Sequence, residues 1–397
     1  MFLFSQLLVA SISAAPAYDP ETGRVRILYL GESVGRPMSY FVQEPIFSMN
    51  IIPAGVALGK PEGEARRLMR LYMPRSFDDF IGRYDVSVIS DARVDFFSVD
   101  QHQWFKRAVI EEGHGLLMVG GWHTLGAAGG WGIPWTGTSV EEVLPVNCIS
   151  HETRESLFVR PRPVDPSHEF SRSLPWKSAH TFNGLNVVEV KQGATEILRP
   201  ETGSPYPLLT YWEPGNGSGV AHAPDWNPGW GSTFMTWEYY LDYAVNIMYL
   251  TARMGIPQDP ALMHFLRLDI QRYTESRDFV SRLIDFVENF GGDSAPLNED
   301  LIAIDILKAE ANTLYLDQDF EAVVDKMAEV WDAFSDIDRK AMKLKDRALF
   351  WIYVSEWLVV TSTVMISSYA LWTLMVGRRM YREIGSTKLS ATDEGNP

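Results

Sequence analysis

The chain contains a single cysteine, Cys148, in 397 residues. An internal disulfide is therefore excluded, as is any zinc or iron–sulfur site built on several thiolates. Large domains hold together without disulfide staples, so an oxidising compartment stays open. Basic residues are also scarce: 35 Lys plus Arg stand against 51 Asp plus Glu, a formal charge of -16. Phosphate binding needs a basic face, so nucleic acid is not an expected partner. The eight histidines show neither HxH nor HExxH spacing, and His151-Glu152-Thr153-Arg154-Glu155 lacks the second His of a metalloprotease helix. Neither G-x-x-x-x-G-K-[ST] nor G-x-G-x-x-G occurs. Sequence motifs thus indicate no metal, no nucleotide and no other cofactor. Apolar residues are plentiful, at 46%, which is enough to bury a sizeable core.

Two uncharged apolar stretches lie towards the ends of the chain. Trp357 to Val376 reads WLVVTSTVMISSYALWTLMV without a charge, and about 20 helical residues span the roughly 30 Å of a bilayer core. Trp351, Tyr353 and Trp357 flank one end and Trp372 the other, as interfacial aromatics do. Arg378 and Arg379 follow at once. These features predict a transmembrane helix over 349–377 and a cytoplasmic tail over 378–397. At the other end, MFLFSQLLVASISAAPA has an apolar run and then small residues suited to cleavage, although it lacks a basic start. Read as a signal peptide over 1–17, it gives a single-pass type I protein of the cell membrane, with most of the chain extracytoplasmic. The lipid bilayer is then one partner, and a membrane or envelope protein is a candidate second. Asn216-Gly217-Ser218 is a glycosylation sequon in a predicted surface turn.

Between the ends, residues 22–255 read as α/β. Val25 to Leu30, Val86 to Ser90 and Gly115 to Val119 are short apolar runs, and Asp100 to Glu112 between the last two has helical periodicity. Strand, helix and strand with such short joints make a parallel βαβ unit. Leu185 to Val190 and Leu208 to Trp212 are further strand candidates. Trp237 to Met254 closes the segment as a helix, with Leu241, Ala244, Val245 and Met248 on one stripe. Residues 256–347 are rich in charged helix formers and read as a helical bundle or stalk. Its stripes are Val280, Leu283, Ile284 and Val287, and Phe320, Val324, Met327 and Trp331. AEANTLYLDQDFEAVVDKMAEV resembles the helix–turn–helix of one tetratricopeptide unit, without a repeat array.

The strand Gly115 to Val119 ends in Gly120-Gly121, followed by Trp122-His123-Thr124-Leu125-Gly126 and Gly129-Gly130. Glycines at the carboxyl edge of a parallel sheet let backbone N–H groups approach a ligand. This elbow, the later TGTSVEEVLPV (Thr136 to Val146), His168 to Trp176 and Ala223 to Gly231 resemble, in order, the glutamine amidotransferase-like domain family of the class I glutaminase-like superfamily. The resemblance covers about residues 24–255. It implies a flavodoxin-like parallel sheet with helices on both faces, and a ligand site at Gly120, Gly121, Trp122 and His123.

Active members of that superfamily carry a Cys nucleophile at the elbow, with a His and a Glu from a later segment. Here the elbow offers Trp122, His123 and Thr124, while Cys148 lies in a predicted strand further on. Val220 to Asp225 loosely echoes the family's His-Pro-Glu element, which makes His222 and Asp225 candidates for base and orienter. Two readings remain. One is a pseudoenzyme, a membrane-anchored binding or assembly module without glutaminase activity. The other is a hydrolase acting on a small or carbohydrate-like substrate through His123, His222 and Asp225. Trp122, Trp131, Trp135, Trp212, Trp226 and Trp230 fit either a packed rim or a ligand cleft.

Overall fold

The computed structural model describes residues 16–33, 36–55, 61–130, 132–202, 205–289 and 294–390. The signal-peptide reading lies outside these residues except at its last two positions. Trp131 and the last seven residues of the tail also lie outside them.

The first strands form where apolar runs meet turn residues. β1 (Val25–Gly31), α1 (Arg36–Gln43) and β2 (Phe47–Ile52) make one parallel crossover. α2 (Glu62–Tyr72) and α3 (Phe77–Arg83) lead to β3 (Val86–Ser90). α4 (Val99–Glu111) then returns the chain to β4 (Gly115–Val119), which pairs with β3 in parallel. Polar caps start two of these helices. The Ser76 hydroxyl accepts from the Asp79 amide, and Ser98 with Gln101 forms a reciprocal capping box. Each cap is worth about 1 kcal/mol. β3 and β4 are buried at every position, which suits apolar strands covered on both faces.

The second half of the sheet departs from the parallel expectation. β5 (Val146–Val159), β6 (Pro161–Pro163) and the short α5 (Glu169–Arg172) come first, then β7 (Phe182–Val190), β8 (Thr195–Pro200), β9 (Leu209–Trp212) and β10 (Ser218–His222). The main sheet has eight strands in the order β2-β1-β3-β4-β10-β9-β8-β6. β10 lies parallel to β4, but β9, β8 and β6 run antiparallel to their neighbours. The physical reason is loop length. Only Glu213 to Gly217 join β9 to β10, too few residues for a parallel crossover. β5 and β7 pair with each other as a separate antiparallel ladder. The sheet is therefore mixed rather than wholly parallel.

α6 (Tyr240–Thr251) is buried at every position and packs against β4 and β10. The stripe read from the sequence is only part of its buried surface, because the other sides of the helix are covered as well. The compact unit holding the sheet runs on to Thr274 and also takes in Ala309–Met327. α7 (Pro260–Asn289) enters it through a buried polar network. There Arg267 Nη1 donates to Asp242 Oδ1 at 2.8 Å, the His264 ring meets Asp242 Oδ2 at 2.7 Å, and Arg267 Nε lies 3.5 Å from Glu44 Oε2.

The second compact unit comprises Glu275–Lys308 and the chain from Ala328 onward. It holds the end of α7, most of α8 (Ala295–Leu316) and most of α9 (Phe320–Ser390). Arg277 makes a two-pronged ion pair with Asp305, and Lys340 reaches Asp300 at 2.6 Å. The buried positions along α9 are Val323, Met327, Val330, Phe334, Ile337 and Ala341. Met327 is buried as expected, whereas Val324 and Trp331 are only half-buried and their neighbours Val323 and Val330 take the buried positions. Over Phe320–Met380 this helix is long and apolar enough to cross a membrane by length and composition, and its most apolar window is wholly exposed.

Candidate functional site

The parallel strands end on a common edge, and an acidic residue follows three of them closely. Glu32 comes directly after β1, Asp91 directly after β3, and Asp225 three residues after β10. The three are 5%, 3% and 8% exposed. Together they line a cleft of about 70 Å³ whose other walls include Trp122, Asn227 and Trp230. Carboxyl edges of α/β sheets are where small-molecule sites form.

Backbone hydrogen bonding fixes each acid. Asp91 adopts a left-handed backbone, φ 49°. Its Oδ1 accepts from the His123 amide at 2.7 Å, which draws the elbow after β4 against the end of β3. Gly121 is required there, because a Cβ on it would stand 2.5 Å from Asp91 Oδ1. Asp225 turns its Oδ1 onto the Asn227 amide at 2.9 Å, a local Asx-type turn. The loop behind it is pinned from three sides. Trp226 Nε1 donates to Tyr29 and Ser90, Asn227 Nδ2 donates to Ser90 Oγ, and the Tyr240 hydroxyl donates to the Trp226 carbonyl. Trp226, fully buried, is thus a structural anchor, while Trp230 faces the cleft.

Crowding among acids has an electrostatic consequence. Burial, followed by the nearby Asp91 charge and with Glu32 adding to it, pushes the Asp225 carboxyl up to about 8. At neutral pH Asp225 is mostly a neutral acid that can donate a proton or a hydrogen bond.

The residues singled out from the sequence are placed as follows. The Gly120 amide donates to the His222 carbonyl at 2.7 Å, and the Gly121 amide donates to Asn186 Oδ1 at 2.9 Å. Asn186 Nδ2 returns a bond to the Gly121 carbonyl. Both elbow amides are therefore hydrogen-bonded within the fold. Trp122 lines the cleft. His123 is buried, with Nδ1 lacking a hydrogen bond and standing 3.4 Å from Asp91 Oδ1. His222 is fully buried, with Nδ1 on the Pro224 carbonyl at 2.8 Å and Nε2 on the Tyr243 hydroxyl at 2.7 Å. Burial pushes it down to about 3, so it stays neutral. With both ring nitrogens engaged elsewhere, His222 makes no triad with His123 and Asp225. Thr124 Oγ1 donates to the Val119 carbonyl at 2.6 Å from a fully buried position. Cys148 is buried beside Glu141, and burial pushes its thiol well above the ordinary range. Among the described residues, no group of three His, Cys, Asp or Glu side chains is arranged to hold a metal ion.

Comparison with known proteins follows the same stretch of chain. A family model described as GATase1_like, Putative glutamine amidotransferase, matches residues 79–252. That segment is glutamine amidotransferase-like. It contains β3, α4, β4, the elbow, Asp91 and Asp225, but not Glu32. No curated protein matches the chain. Among solved structures, Cytoplasmic Protein STM3548 from Salmonella typhimurium is 22% identical with a TM-score of 0.47, covering 57% of this chain and 99% of its own. Cytoplasmic Protein STM1381 from Salmonella typhimurium LT2 is 21% identical with a TM-score of 0.47, covering 57% and 98%. A beta-galactosidase from Rahnella sp. R3 is 11% identical with a TM-score of 0.35, covering 57% of this chain and 32% of its own.

Sequence reasoning missed Glu32, Asp91 and Asn186. A signal existed for the two acids: each lies within two residues of the end of an apolar run that reads as a parallel strand. Asn186 carried no such mark, since its role depends on β7 passing beneath the elbow.

Proposed function

We propose that this chain is a membrane-anchored glutamine amidotransferase-like protein that has lost the thiol nucleophile and binds a small ligand at the carboxyl edge of its sheet. The observation that carries the reading is the cleft itself: Glu32, Asp91 and Asp225 converge there with two tryptophans, and no thiol faces it. The sequence's only cysteine is buried, with its thiol held protonated. A glutaminase of this class attacks the amide carbonyl with a thiolate, and none is available. The parallel strand order β2-β1-β3-β4-β10 supports a flavodoxin-like core. With right-handed crossovers, the sheet growing in opposite directions from β1 and from β3 puts helices on both faces. Anchoring rests on the exposed apolar window of α9 and on the double Arg that follows it. With that helix in the bilayer, the tail is cytoplasmic and the body extracytoplasmic.

The experiment is an ammonia assay on the full-length protein in detergent. It is expected to release no ammonia from glutamine above a buffer control, and Cys148→Ser is expected to leave that result unchanged. Ammonia release abolished by Cys148→Ser, or by His123→Ala, would overturn the reading.

A further inference from the structure

We propose that the first half of α7 is held to the sheet-bearing unit by a pH-sensitive clasp, in which protonated His264 is gripped between Asp242 and Glu238 and loss of its proton loosens the helix. The clasp shares no residue with the cleft and stands whatever the cleft binds.

Asp242 lies in the first turn of α6 with its side chain 3% exposed. A buried carboxylate needs partners. Two groups on α7 supply them: His264 Nδ1 stands 2.7 Å from Oδ2, and Arg267 Nη1 donates to Oδ1 at 2.8 Å. The spacing of i and i+3 puts both on one face of the helix. Arg267 also lies against Glu44, which follows α1 directly, so one guanidinium stands between two buried carboxylates. A protonated His264 adds a second positive charge. Its other nitrogen, Nε2, is buried without a hydrogen bond and stands 3.7 Å from Glu238 Oε1. The Tyr239 ring covers the imidazole at a centroid distance of 4.3 Å. The groups facing His264 are thus Glu238 and Tyr239 just before α6, Asp242 within it, and Arg267 on its own helix. The hydrogen bond to Asp242, opposed by burial and aided by the charges of Asp242 and Glu238, raises the His264 pKa above its ordinary 6.5 despite the nearby Arg267.

The ionised Asp242 carboxylate only accepts, so Nδ1 keeps its hydrogen at every pH. On deprotonation the Nε2–H bond breaks, its electron pair stays on nitrogen and the proton passes to water. The bond to Asp242 survives, but the charge that strengthened it is gone. The raised pKa fixes the sign: attachment is firmest below 6.5 and weakens as pH rises through the folded value. Met263, Leu266 and Ile270 are buried on the same stretch, so the weakening takes the form of more frequent local opening. α7 carries the chain from this compact unit into the other, so mild acid stiffens the root of that connecting helix.

The test is amide exchange of residues 260–274 in the full-length protein in a non-ionic detergent, wild type against His264→Gln, between about pH 6 and pH 9. Comparison in the same buffer cancels the intrinsic pH dependence of exchange and any change in global stability common to both. The wild-type segment should be the better protected at the acid end. The ratio of the two protections should fall above pH 6.5, approaching about tenfold per pH unit, and level off once His264 is neutral. In NMR of ring-labelled histidine, the resonance missing from His264→Gln should have its midpoint above 6.5. Glu238→Gln, at an exposed site, should move that midpoint to lower pH. If His264→Gln does not fold, the resonance shifted by Glu238→Gln identifies His264 and its midpoint decides the matter. A protection ratio constant with pH, a midpoint at or below 6.5, or a midpoint that Glu238→Gln leaves unmoved would overturn the inference.

Discussion

Asp225 offers a quantitative test of the electrostatics of the cleft. An unfolded chain ionises this residue near 3.8, and the folded chain near 8. Between those values the folded state holds a proton that the unfolded state has released. The sign follows directly: folded stability falls as pH rises from about 4 to 8, by about 1.4 kcal/mol per unit, and the loss is complete above the folded pKa. At pH 7 the accumulated cost is about 4 kcal/mol. Asp225→Asn removes the titration, keeps the side-chain oxygen that accepts from the Asn227 amide, and adds little volume. The variant should therefore be the more stable protein at neutral pH, with a margin that widens as pH rises. Cys148 provides the assay, because it is the only thiol and is 4% exposed. Its labelling by a disulfide reagent reports opening of the fold. Comparing wild type with variant in the same buffer cancels the pH dependence of thiolate chemistry. The ratio of wild-type to variant labelling rates should grow roughly 50-fold between about pH 6 and pH 8. A ratio that stays constant, or a variant that labels faster at both values, would refute the argument that the carboxyl is held protonated.

Two further outcomes follow from other parts of the molecule. Arg267→Ala leaves the buried carboxylates of Asp242 and Glu44 without their shared guanidinium, and should cost about 3–5 kcal/mol; a thermal midpoint equal to wild type would show that the network contributes little. Protease added to intact cells should cut between residues 20 and 345 and spare an epitope tag placed after Pro397, whereas an intact body with a clipped tag would reverse the orientation.

Much of the sheet was legible because its central strands are short, apolar and bounded by turn residues. Val86–Ser90 and Gly115–Val119 were read with the observed bounds, and the βαβ unit they form pairs in parallel as expected. Local periodicity and loop length fix such elements before any tertiary contact exists. Two positions of the stripe on α9 were misread because Val323 and Val324, like Val330 and Trp331, are both apolar, and which of each pair is buried depends on the packing partner. Val323 rather than Val324 proved buried. The antiparallel half of the sheet was harder to read, since which edge β9 joins depends on where β10 already lies.

By itself the sequence determined the chemical limits: one thiol, no phosphate loop, few basic residues and one long uncharged apolar run. Those are counts and spacings, and folding cannot change them. The tertiary structure alone decided which polar groups are free to act. It turned His222 onto Tyr243 and the Gly121 amide onto Asn186, and it brought Glu32, Asp91 and Asp225 from strands distant in the chain to one cleft. Whether a side chain meets a ligand or a neighbour depends on what lies across the sheet edge, and residues up to 193 positions apart along the chain meet there only when the strands take their order.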